Sequence, residues 1–248
     1  SFPAGSLLSS LADDAFTSSE LVRFTAPQSV LTHIDVEPGN GKTVGGKGNV
    51  KVILLRTTLN GTGTLTEAIV KNQIGNGSLA IDVLITGYSR IGLNAFKDSQ
   101  LSGSVTIADS ILSIGNYAFN ACSSLTSLIF EGVSKLETIE ISSFMHSGLS
   151  GSISLPSSLT SIGEGAFESC SALTTATFES GSILSSIGDS AFDGSGLTSI
   201  SLPSTLASLG SYSFHQCASL TTVNFESGIN LITLESNTFS QSGLTSMA

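Results

Sequence analysis

Between Ile91 and Ala248 the chain repeats one pattern seven times: a branched aliphatic residue, Phe five residues later, and Leu five or six residues after that. The aliphatic anchors are Ile91, Ile114, Ile139, Ile162, Ile187, Leu209 and Leu234, and their phenylalanines are Phe96, Phe119, Phe144, Phe167, Phe192, Phe214 and Phe239. A unit of 22 to 25 residues cannot bury its own apolar face and must stack on copies of itself, so seven successive copies predict a solenoid. Such a chain has little room for an active-site cleft, and it reads as a non-enzyme.

One copy, "LTSISLPSTLASLGSYSF" from Leu197 to Phe214, carries a full coil. Leu197, Ile200 and Leu202 fall at spacings of three and two, the last two alternating with a polar residue, which predicts a short strand with its apolar side inward. Pro203 ends the strand, as does Pro156 two copies earlier, because proline gives a ladder no N–H. Leu206 and Leu209 turn inward again, and Phe214 enters the core from a short helical or 3₁₀ turn on the opposite face. The copies alternate in length, long ones carrying "FEGVSKL", "FESGSIL" and "FESGINL" after the strand, so the duplicated unit is a pair of coils.

The stretch "LSGSISLPSSLTSIGEGAFESCSAL" from Leu149 to Leu173 resembles the repeat of BspA-like leucine-rich repeat proteins, and the likeness runs from Ile91 onward, over about two-thirds of the chain. The resemblance implies a leucine-rich-repeat solenoid in a secreted or surface-displayed protein that binds other proteins or cells through its strand face. It brings no catalytic residues with it. The expected partner is a protein or glycan on a cell or matrix surface.

Composition bears on the partner. Only 11% of residues are charged and the formal net charge is −10, so no basic stripe is offered to nucleic acid. No apolar run approaches the ~18–20 residues that span a bilayer, so no membrane insertion is expected. The start, "SFPAGSLLSSLADD", has neither the basic residues nor the unbroken apolar stretch of a signal peptide, which suggests a mature, processed or partial chain.

Three possible chemical sites give way on inspection. Cys122, Cys170 and Cys217 each follow a repeat Phe by three residues in alternate copies, forming one column. With coils ~4.8 Å apart, alternate copies stand ~9.6 Å apart, beyond the ~7 Å reach of a disulfide, so free thiols at a tight buried corner are expected. His33, His146 and His215 share no metal-ligand spacing with one another or with the cysteines, and neither a metal nor a cofactor is expected. Gly41-Lys42-Thr43 imitates a phosphate-binding loop, but Val36 stands where that motif needs glycine.

Residues 1–90 read as an irregular N-terminal part. Phe2, Leu8, Leu11, Phe16 and Leu21 keep the repeat offsets and predict a first coil, while Ile69, Ile74 and Leu79 keep anchor, plus-five and plus-ten spacing with Ile in the Phe role. Between them residues 39–60 predict a Gly-rich insertion. Asn60 and Asn76 head two sequons, which carry sugar only in a secreted eukaryotic protein.

Two surfaces remain. The outward strand positions Thr175, Thr177, Ser199, Ser201, Thr222 and Asn224 form polar ranks, open to a partner or simply to solvent, and too mixed for a strict Thr-x-Thr lattice that would bind ice or glycan. The ends form the other: Ser1-Phe2 would continue the repeat that Met247-Ala248 leaves unfinished, so the chain is either cut from a longer array or self-associates end to end into a filament. The whole is expected to be a single solenoid domain of about ten coils by this count of repeats, extracellular or at the cell surface. It works as an interaction or adhesion module, with a structural filament subunit as the alternative.

Overall fold

In a computed structural model, which describes residues 57–74, 82–231 and 233–247, each copy of the pattern closes into one coil. Leucines and isoleucines that alternate with Ser and Thr put one side of a strand inward, and the coil carries two such strands rather than the single one expected. In chain order these are β1 (Thr57–Asn60), β2 (Thr64–Leu65), a helix α1 (Glu67–Ile74), β3 (Asp82–Thr86), β4 (Arg90–Ile91), β5 (Gly103–Ile107), β6 (Ser113–Ile114), β7 (Leu125–Phe130), β8 (Thr138–Ile139), β9 (Gly151–Leu155), β10 (Ser161–Ile162), β11 (Leu173–Phe178), β12 (Ser186–Ile187), β13 (Ser199–Leu202), β14 (Ser208–Leu209), β15 (Thr222–Phe225) and β16 (Ser246–Met247).

All ladders are parallel. The two-residue strands β2, β4, β6, β8, β10, β12 and β14 build one seven-stranded sheet that holds the anchors, which makes about seven coils among the described residues. The longer strands build a four-stranded sheet, β1-β3-β5-β7, and, with the two-residue β16 at its edge, a five-stranded sheet, β9-β11-β13-β15-β16. Between those two sheets the coils are joined at Ser150, whose N–H donates to Thr126 O at 3.0 Å.

The core is a set of columns. Seven phenylalanine rings from Phe96 to Phe239 stack face to face, with centroids 4.8 to 5.5 Å apart and ring planes within 9° of parallel. The anchors from Ile91 to Leu209 lie beside them, each at most 1% exposed. The last anchor departs from expectation: Leu234 is 46% exposed and forms no ladder strand with Leu209.

The corner that carries each Phe is a run of hydrogen-bonded turns, not the helix expected. Residues two before and two after each Phe have positive φ, and twelve of these are not glycine, with φ from 50 to 60°. Each such residue costs roughly 1–2 kcal/mol. The compensation is a backbone ladder between coils, with the Phe119 N–H donating to Ser143 O at 2.7 Å and Phe167 to Ala191 O at 2.7 Å. A helix would aim those N–H groups along its own axis and lose the ladder.

The alternation of coil lengths has a packing cause. Copies in which Leu follows Phe by six residues carry Cys122-Ser123, Cys170-Ser171 or Cys217-Ala218, and the extra residue aims its carbonyl at the next coil. There the five-residue copies place Gly148, Gly196 and Gly243, and a Cβ added to Gly196 would lie 2.2 Å from Ser171 O. A second tie joins two of the long coils to the short ones before them: Glu179 Oε2 accepts from the Ser157 N–H at 3.1 Å, and Glu226 Oε2 from the Ser204 N–H at 3.0 Å, just after the corner prolines. The contacts thus alternate in kind from one coil junction to the next, which is why the sequence repeats every two coils.

The N-terminal register differs from the one read in the sequence. Leu65, fully buried and paired with Ile91, is the anchor, and Val70, five residues later and 4% exposed, takes the Phe position. Ile69 and Ile74, expected in those roles, lie half-buried in α1 and pack against the core from its side. Thr57–Asn60, the end of the expected insertion, pair in register with β3 as an ordinary coil strand. The expected first coil, the rest of the insertion and Leu79 lie outside the described residues.

Candidate interaction surface

A parallel ladder puts equivalent residues of successive coils side by side, so polar outward positions become columns. Ser152, Thr175, Ser199 and Thr222 stand in register across β9, β11, β13 and β15. One step along, Ser154 pairs with Thr177 and Ser201 with Asn224. The six strand-face residues read from the sequence therefore share one face, exposed or half-buried, and Asn224 Nδ2 donates to Ser201 Oγ at 3.4 Å.

A third column runs beside these two. Thr126, Ser150, Thr174, Thr198 and Thr221 each follow the repeat Leu, and their exposed hydroxyls donate to the preceding coil. Thr174 Oγ1 donates to Gly151 O at 2.9 Å and Thr198 Oγ1 to Thr174 O at 3.3 Å. The recurring Leu-Thr dipeptide was the available signal. The same columns change character toward the N-terminal sheet, where Leu84, Thr106 and Ile129 are aligned and Ile129 is 44% exposed.

The cysteines form the expected column and are free and buried. Serine fills the same place in the intervening copies, so Ser99 lies 3.3 Å from Cys122 Sγ, Ser147 from Cys170 and Ser195 from Cys217. Each thiol also donates to the carbonyl of a repeat Phe, Cys170 to Phe144 O at 3.1 Å. Burial pushes all three thiols up to about 11, which keeps them protonated and unreactive. Among the described residues no group of His, Cys, Asp and Glu is placed to hold a metal ion.

His146 and His215 lie on the Phe corners. His215 Nδ1 meets Asp193 Oδ1 at 3.0 Å, and its ring stands edge-on to Tyr212. Burial, and then the charge of Asp193, raise the carboxyl of Glu168 above its ordinary value. Of the residues expected at an end-to-end contact, Met247 lies in β16, its backbone paired with Val223; Ser1, Phe2 and Ala248 lie outside the described residues. Asn60 is exposed at the end of β1, and Asn76 lies outside. Among the described residues no helix is long and apolar enough to cross a membrane.

Comparison with known proteins agrees with this geometry. A search of curated proteins finds no match. Among solved structures, the pneumococcal vaccine antigen PcpA is 27% identical with a TM-score of 0.50, over 69% of this chain and 41% of its own. A leucine-rich cell surface protein of Faecalibacterium prausnitzii A2-165 is 24% identical with a TM-score of 0.45, over 59% of this chain and 48% of its own. The chain thus spans less than half the length of either. The family model for the BspA type leucine rich repeat region matches in six copies over residues 89–184 and 137–248, which is more than half of the sequence, and the chain belongs to that family.

Proposed function

We propose that this chain is a non-enzymatic interaction module, secreted or displayed at a cell surface, that adheres to a protein or glycan through the strand face of residues 151–225. The observation that supports this best is the register of that face: three columns of Ser, Thr and Asn repeat coil after coil on a rigid ladder, with no charged side chain among them. A flat, regular, polar sheet face suits an extended partner, and the solenoid supplies its length. Likeness to PcpA and to a cell surface protein supports the location.

The test is binding of the purified chain to an array of extracellular-matrix and cell-surface proteins and glycans. A bulky ring at Thr177→Trp or Ser201→Trp should lower binding at least roughly tenfold, as loss of a central contact does. Binding that survives both changes would remove the strand face from consideration.

One observation favours a second reading, end-to-end association. Leu234 is 46% exposed and lines an open groove with the half-buried Phe225, Ile229 and Leu231. Light scattering should then show mass rising with concentration, and Leu234→Lys should abolish the rise.

A further inference from the structure

We infer that the strand face of residues 151–225 docks a Lys- and Arg-rich segment of another protein, which rests on the interaction reading above and gives its partner a chemistry. Three separate observations point to cationic donors. The first is charge placement. Residues 136–248 contain nine Asp and Glu and no Lys or Arg, whereas the first 135 residues contain ten and nine. Nearly all of the net negative charge therefore belongs to the half that carries the regular polar face and draws cations to that half, where Glu179 and Glu226 stand at the strand exits.

The second is the polarity of the hydroxyls. Thr174, Thr177, Thr198 and Thr221 each donate to a backbone carbonyl of the preceding coil. A hydroxyl has one proton, so what these residues turn toward a partner is acceptor lone pairs. Such a face accepts from ammonium and guanidinium groups and pairs poorly with the acceptor-rich phosphate of a nucleic acid.

The third lies at the exit of the long strands. Glu179 and Glu226 are exposed, and in each Oε2 is held by a backbone N–H of the preceding coil. This fixes the carboxylates along one edge of the face, two coils apart, which is ~10 Å at strand spacing. That separation cannot close round one metal ion, whose oxygen ligands lie ~2–2.6 Å from it, but it suits successive basic side chains of one peptide. The Phe corners are acidic too, but they lie off the strand face, and there Asp193 pairs with His215.

Nona-arginine peptide, titrated calorimetrically into the full chain at low and high salt, is the probe. The wild type should bind with salt-sensitive affinity, Ser201→Glu should tighten binding, and Ser201→Lys and the pair Glu179→Gln with Glu226→Gln should weaken it roughly fivefold or more. The corner pair Glu164→Gln with Asp189→Asn should change it less than about twofold. Absent binding, equal response to Ser201→Glu and Ser201→Lys, or a larger loss in the corner pair would each overturn the proposal. The same Ser201 variants in the array assay separate the two readings. Loss with Ser201→Trp but equal effects of Glu and Lys leaves the surface standing and removes the cationic partner. No loss with Ser201→Trp removes the surface itself.

Discussion

The phenylalanine column shows how one side chain serves two neighbours. Phe167 stacks at 5.3 Å on Phe144 and 5.2 Å on Phe192, so Phe167→Ala opens the middle of the stack and should cost about 3–5 kcal/mol, read as a drop in urea midpoint. Gly196 makes the opposite case, where one added carbon is too many. Because a Cβ there would meet Ser171 O at 2.2 Å, and that atom is backbone, Gly196→Ala should cost about 1–3 kcal/mol by forcing the two coils apart. The thiols supply a chemical check on burial. Cys122, Cys170 and Cys217, fully buried and pushed up to about 11, should all react with a thiol reagent in denaturant and only slowly in the native state; fewer than three free thiols would contradict the column.

At the scale of the element, the coil is a compromise between local strain and ladder bonds. The residues with φ near +55° two before and two after each Phe would not persist alone; from Asn94 to Gln216 they do because their N–H groups, and that of the Phe between them, donate to carbonyls of the next coil. The alternation of coils adds a side-chain tie at every second junction, as when Glu179 holds the Ser157 N–H. Glu179→Ala should therefore speed hydrogen exchange at the Ser157 amide while lowering global stability by no more than about 1.5 kcal/mol. An unchanged Ser157 amide would show that the tie does not hold the corner.

Across the whole molecule, net negative charge gathers where the coils are most regular, and the solenoid should respond to pH. The Glu168 carboxyl is raised, first by burial, then by Asp193, with His146 opposing and Glu164 adding. The folded state therefore holds this proton more tightly than the unfolded chain, so the contribution to stability is full below the ordinary value of 4.5 and is lost as pH rises through the folded value. Glu168→Gln should raise the melting midpoint at neutral pH and lose that advantage near pH ~4. The solenoid class, the Phe and anchor columns, the thiol column and the polar strand face were all legible in the sequence, because a solenoid writes each neighbour contact once per period and the period exposes it. Where the period fades the reading slipped: in a short apolar stretch Ile69 and Ile74 fit the spacing as well as Leu65 and Val70, and only pairing with Ile91 selects the latter. The turns in place of a helix, the second sheet of anchors and the Gly196 contact with Ser171 were decided by the tertiary structure alone. Each depends on which backbone group of the adjacent coil lies within hydrogen-bonding or contact distance, and that is a property of the stack rather than of any one copy.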